Sequence, residues 1–317
     1  MLWRPKRFKH KSTQVGRFLK RDRDERGVAS TVGTIMALLV FLTFLTLFTN
    51  SYIPVWMVDN ERNHMNTVMN QFGEMKGKID VLALSASMSG SSNINMYQSV
   101  DLGADGVPIF ASPTAGSLSY QPFSGGASSL TVRFNHTFGS STIYYNEVGG
   151  GMLQLYAPNR YYVQQWVTYE NGAILIRQQD GQAMRAFPSL ELSKPSPTSD
   201  VNMSFTQVDF VGKNSTNVGT GSAGLNIDVI YMDSQMYAIA ESAGNKLPVD
   251  LVFRTLNGVA WFKYLDQYLK TTGNNLVNNT DYVLTHSADY RTVSLRVFNV
   301  SYFTLNREIT ELSVQTS

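Results

Sequence analysis

Four histidines, His10, His64, His136 and His286, are the side chains of this 317-residue sequence best suited to proton transfer or metal ligation. None stands at metal-ligand spacing to another, and no His-Glu-x-x-His run places two imidazoles on one helical face. No Gly-x-Ser-x-Gly elbow presents a nucleophile, and no phosphate-binding loop ends in Gly-Lys-Ser/Thr. Gly149-Gly150-Gly151 lacks that ending and reads as a flexible turn or linker. Asp101, Asp105 and Asp233 have oxygen chemistry suited to calcium, without the regular spacing of a calcium loop. His286 with Asp289 and Tyr290 is mildly suggestive, but reads better as a hydrogen-bonded loop histidine. No catalytic, metal or cofactor residue is expected, and the chain is not expected to be an enzyme.

Other residues suit chemistry done to the chain rather than by it. Arg26-Gly27 stands directly before Val28-Ala29-Ser30, where an uncharged run begins. A glycine lets the backbone enter a tight peptidase cleft without steric cost. Asn-x-Ser/Thr acceptors for N-glycosylation occur at Asn135, Asn202, Asn214, Asn278 and Asn299, all after that run.

The element that must position these features is the run itself, Val28 to Phe48, which carries no charge. At ~1.5 Å per residue, a helix of this length spans a hydrocarbon core of ~30 Å. Net charge is +2, but residues 1–27 hold a net +7 and residues 59–317 a net −5. A basic flank at a membrane helix is retained in the cytoplasm, so residues 59–317 are expected outside. The basic tail also has the composition of a nucleic-acid or anionic-lipid patch. It stops where the apolar run begins, so it reads as an orientation signal, and no nucleic-acid partner is expected. Cysteine is absent, so core packing alone must hold the external part.

A basic residue, a glycine and then an uncharged helix resembles the class III signal peptide of archaeal type IV pilins and archaellins. The resemblance implies that a prepilin peptidase-like enzyme cuts after Gly27, making Val28 the first mature residue. The bacterial pattern has Glu at the fifth mature position, where this chain has Val32. Within the helix, Ala29, Gly33 and Ala37 form a small-residue stripe that allows close helix packing. Phe41, Phe44 and Phe48 make one bulky face of its second half.

Beyond Phe48, Pro54 is expected to kink the helix. Tyr52 and Trp56 suit a membrane interface. Met65, Val68, Met69, Phe72, Met75, Ile79 and Leu82 then recur every three or four residues, and the helix is expected to run to about residue 84. Its Met-rich stripe should pack on the domain that follows.

After residues 87–93 the period changes to short alternating runs, which predicts strands. Glu170-Asn171-Gly172-Ala173 predicts a hairpin, and residues 257–271 predict one short helix. The expected class is α+β: a long membrane-spanning then amphipathic helix, followed by a mainly antiparallel, sandwich-like β domain. Four segments are expected: a basic leader (1–27), the helix (28–86), and β-rich parts 87–195 and 196–317. The run 193–200 either separates two subdomains or joins two sheets. SVDLGADGVPIFASPTAGSLSY, TYENGAILIRQQDG and PVDLVFRTLNGVAWFKYLDQYL resemble uncharacterised archaeal pilin-like surface proteins in patches.

The resemblance implies a cell-surface or filament component whose partners are the membrane and itself or other pilin subunits. The alternative is a non-polymerising, single-pass surface glycoprotein that binds a carbohydrate or surface-layer partner. An anchored enzyme is a distant third.

Overall fold

The computed structural model describes residues 15–89, 94–126, 128–196, 199–242, 244–271 and 275–315, with backbone alone for residues 15–27 and for Ser89. The chain divides into two compact units, one ending at Trp56 and the other beginning at Met57.

Helix α1 (Val15–Ser89) contributes to both units. It is longer than the expected 28–84 at both ends. Residues 15–26 hold four Arg with one Lys and one Leu, which favour helix, and a lone Gly27 weakens it by only ~1 kcal/mol. In the first unit, residues 28–44 are exposed throughout. This is the helix, among the described residues, long and apolar enough to cross a membrane. The hydroxyls of Thr31, Thr34, Thr43, Thr46 and Thr49 donate back to helix carbonyls three or four residues earlier. Such internal pairing is what an apolar solvent demands of a polar group. Phe48 meets Phe44, Tyr52 and Trp56 at ring-centroid distances of 6.5, 5.8 and 5.6 Å. Pro54 lies inside the helix, which continues past it.

In the second unit the remainder of α1 buries Met57, Met65, Val68, Phe72, Met75, Ile79 and Leu82. Asn63, Asn66, Asn70 and Glu74 face solvent. The Met-rich stripe is thus a core face, as its period predicts.

Strands follow in the order β1 (Asn95–Asp101), β2 (Gly116–Pro122), β3 (Ser129–Phe138), β4 (Ser141–Gly149), β5 (Gly151–Ala157) and β6 (Gln165–Glu170). Next come β7 (Ala173–Gln178), β8 (Gly181–Ala186), β9 (Leu190–Ser193), β10 (Val201–Val211), β11 (Ser215–Gly219) and β12 (Ser222–Ala238). After β13 (Glu241–Ser242), β14 (Asn245–Lys246) and β15 (Val249–Arg254) comes α2 (Gly258–Leu269). The chain closes with β16 (Tyr282–His286), β17 (Thr292–Val297) and β18 (Val300–Gln315).

Three large sheets result, ordered β1-β12-β18-β10-β9, β11-β2-β5-β6-β7-β8 and β16-β17-β15-β3-β4. Pairing is antiparallel except between β10 and β18. Every one of these sheets mixes strands from before and after residue 195. Residues 194–200 join β9 to β10, which pair as antiparallel neighbours.

One core gathers the α1 stripe with Leu118, Tyr120, Leu155, Tyr169, Phe210 and Ile227. A second gathers Trp261 and Leu265 of α2 with Leu130, Leu175, Phe205, Phe253 and Phe303. The Asn171-Gly172 turn is left-handed at both residues, φ 48° and 74°, and joins β6 to β7 as predicted.

Gly149-Gly150-Gly151 is a fixed corner between β4 and β5, not a flexible linker. Gly150 and Gly151 have φ near 100° and 98°, and the Gly150 N–H donates to Asp209 Oδ1 at 2.8 Å. A Cβ on Gly149 would lie 1.6 Å from that same oxygen.

Candidate functional site

Two places in the molecule stand apart from ordinary packing: the bare apolar helix of the first unit and an aromatic groove in the second. On the helix, Arg26 and Gly27 lie within helical backbone, so the expected cut between Gly27 and Val28 falls inside α1 rather than at its start. Ala29, Gly33 and Ala37 are exposed on one face. A Cβ on Gly33 would meet nothing within 4 Å. On the bulky face Phe41 and Phe44 are 58% and 65% exposed, while Phe48 is half-buried.

The second unit fixes its part of α1 with polar contacts as well as the apolar stripe. Glu61 is fully buried. Its Oε1 accepts the Thr114 hydroxyl at 2.8 Å and the Arg160 N–H at 3.0 Å, and its Oε2 accepts the N–H groups of Tyr161 and Tyr162. Gln71 Oε1 accepts the Asp101 N–H at 2.9 Å, and Lys78 Nζ donates to the Tyr97 carbonyl at 2.8 Å. None of Glu61, Gln71 and Lys78 stood out in the sequence. Each is a single polar residue on a helix, and its partner lies 19 to 101 residues away.

The groove lies along one side of α2. Its volume is about 730 Å³, and its lining includes Met184, Phe187, Pro188, Lys263, Tyr264, Gln267 and Tyr268. Phe187 stacks on Tyr264 with centroids 5.1 Å apart, and Tyr264 on Tyr268 at 5.9 Å. Burial pushes the Tyr264 phenol up to about 12, so it stays protonated and able to donate. The Tyr268 oxygen accepts the Leu192 N–H at 3.0 Å, which fixes the ring. The α2 helix was legible in the sequence, but Phe187 arrives from a loop more than 70 residues earlier and gave no signal.

Several of the other residues singled out in the sequence have structural partners. Asp101 accepts the Ser222 hydroxyl at 2.7 Å and lines a polar cavity of about 470 Å³ with Asp105 and His64. Asp233, on β12, is bonded by Gln235. His286 stacks on Tyr290 at 3.9 Å, and its Nδ1 lies 2.8 Å from the Ser287 carbonyl. Among the described residues no three His, Asp or Glu side chains converge on a metal-sized site.

Lys194 and Asp281 form a buried ion pair at 2.8 Å. The Glu170 carboxyl accepts from Thr255 and Trp261, and burial raises its pKa. Glu308 is raised to about 7, first by burial and then by the nearby Asp80.

Of the glycosylation motifs, Asn202, Asn214 and Asn278 are exposed, while Asn135 and Asn299 are half-buried. Asn299 also sits at φ 54° in the left-handed region.

Comparison with protein-family models, with curated proteins and with solved structures returned no match in any of the three.

Proposed function

We propose that this chain is a pilin-like surface protein, held in a membrane or a filament core by residues 28–48 and displaying its β domain outside the cell. One contrast carries the reading. Along a single helix, residues 28–44 leave every side chain exposed, whereas from Met57 onward one apolar face, Met57, Met65, Val68, Phe72, Met75, Ile79 and Leu82, is buried in the chain's own core. Water does not tolerate so long and predominantly apolar a stretch uncovered, so lipid or neighbouring helices are its solvent. The +7 flank supports a cytoplasmic N-terminus, and the Ala29/Gly33/Ala37 stripe supports close packing against other subunits. Protease added to intact cells should remove the β domain. Full protection until lysis would sink this topology.

The groove along α2 favours a second reading, an anchored binding module that does not polymerise. Aromatic rings beside Gln267 and Lys263 are suited to a carbohydrate partner of a surface layer or another cell. Sedimentable assemblies of chains that begin at Val28 support the filament subunit. Monomers with an intact N-terminus support the module.

A further inference from the structure

Strand β4 ends its sheet and pairs with β3 alone. The β3–β4 hairpin closes on Phe138 opposite Ser141, across Gly139 and Ser140. In a two-residue hairpin the closing pair is hydrogen-bonded, and bonded pairs recur at every second residue. Ser141, Ile143, Tyr145 and Glu147 therefore bond to β3. Thr142, Tyr144, Asn146 and Val148 turn their N–H and C=O groups to the open edge. Among the described residues no other strand, bridge or loop pairs with that edge.

Soluble proteins blunt such edges with lysine, proline, bulges or brevity. β4 has none of these. It contains no Lys, Arg or Pro, and its register with β3 is unbroken from Gly149 to Ser141. Its one charge, Glu147, faces Arg307 of the same chain at 3.6 Å. Tyr144 and Phe138 at the hairpin tip are 60% and 73% exposed. The other sheet edges are protected or short: β8 carries Arg185, β9 has four residues, β11 and β16 have five each, and β1 is bonded by Lys78.

We propose that β4 is a docking strand for β4 of a second copy, forming an antiparallel pair about a twofold axis at Tyr145. The strand is complementary to itself. Setting Thr142 opposite Val148 and Tyr144 opposite Asn146 of the other copy uses every outward backbone group of those four residues on both strands. The same register sets Ile143 opposite Glu147, so no like charges meet and Glu147 keeps its arginine. A contact of this kind is isologous and closes on a pair. It goes beyond the reading above, because an anchored module and a filament subunit could both make it.

The full-length chain in detergent micelles tests this directly. It has no cysteine, so introduced thiols report alone. Opposed residues of a bonded antiparallel pair have Cα atoms ~5.5 Å apart, within disulfide range. Tyr144→Cys chains mixed with Asn146→Cys chains should cross-link on mild oxidation far more than either alone. Backbone amides of Thr142, Tyr144, Asn146 and Val148 should exchange roughly tenfold more slowly at high protein concentration than at low. Adding Tyr144→Lys with Val148→Lys, both on exposed positions, should abolish that protection. Exchange that is fast at every concentration, or protection independent of concentration, overturns the proposal. So does cross-linking no greater for the mixture than for the single variants. Cleavage at Gly27 is untouched by these variants, so the two readings fail separately.

Discussion

Glu61 Oε2 accepts the backbone N–H of Tyr162 at 2.6 Å, joining residues 101 positions apart. With Arg160, Tyr161 and the Thr114 hydroxyl, four donors converge on one buried carboxylate. Helix α1 and the 160–162 loop are thereby held together by a side chain that has no exposure to water. Glu61→Ala should strand several buried donors at ~1–3 kcal/mol each, less what water recovers, and lower stability by ~3 kcal/mol in urea unfolding. Asp59→Asn, two residues earlier and exposed, should change it by less than ~0.5 kcal/mol. Equal effects would show that Glu61 is not an anchor.

The stripe on α1 makes a second prediction. Phe72 is fully buried, and Phe72→Ala should cost ~3–5 kcal/mol. Leu84→Ala, 63% exposed on the other side, should be nearly neutral. Gly73 and Gly77 face open space on the solvent side, so Gly73→Ala and Gly77→Ala should each stabilise by up to ~1 kcal/mol. Destabilisation by either alanine would show that something packs against this side of the helix.

These features differ in how far the sequence displayed them. The apolar run and the Met-rich stripe were legible because helical period is local and both are long. The Asn171-Gly172 hairpin was legible because its turn demands left-handed residues. Strand β5 was hidden by its own beginning, since three glycines read as a break until Asp209 is seen holding the corner. The parallel pairing of β10 with β18, about 100 residues apart, has no local signature. Phe187 and Tyr264 meet only because β8 and α2 pack together. The Arg26-Gly27-Val28 run was visible as residue types, but the helix extending through Gly27 was not.

Stability should depend on pH through Glu308. Its carboxyl is raised from an ordinary value of 4.5 to about 7, chiefly by burial, so the folded state holds a proton that the unfolded chain releases. The contribution is fully present below the unfolded pKa and is lost as pH rises through the folded one. Stability should fall by ~1.4 kcal/mol per unit across that window. Glu170, raised in the same direction, adds to the slope. Urea midpoints measured between pH 4.5 and 7 should decline, and Glu308→Gln should flatten the decline. A midpoint that rises with pH would contradict the assignment.

Glycosylation, where it occurs, should follow exposure. Asn214 lies in the open connection between β10 and β11, and Asn278 and Asn202 are also exposed. Asn299 is half-buried in a left-handed turn, and Asn135 is half-buried on β3 with its carbonyl accepting the Ala240 N–H. Peptide mapping of protein from its native cell should find glycan on the first three before either of the last two. Occupancy confined to Asn135 and Asn299 would mean that modification precedes folding of this sheet.

The apolar helix makes the account's central claim. Residues 28–44 are uncovered by their own chain, and on the proposed filament reading the +7 tail must be removed before the helix can leave a membrane. Drawing Lys or Arg through lipid costs ~2.5 kcal/mol or more per residue on insertion scales. A cut after Gly27 removes that charge and leaves Val28-Ala29-Ser30-Thr31 as the new end. Intact-mass analysis of the protein purified from its native cell surface is the most direct measurement. The account predicts a mature chain beginning at Val28, lost when Gly27→Leu blocks the cut. A surface-exposed chain that still begins at Met1 would contradict it.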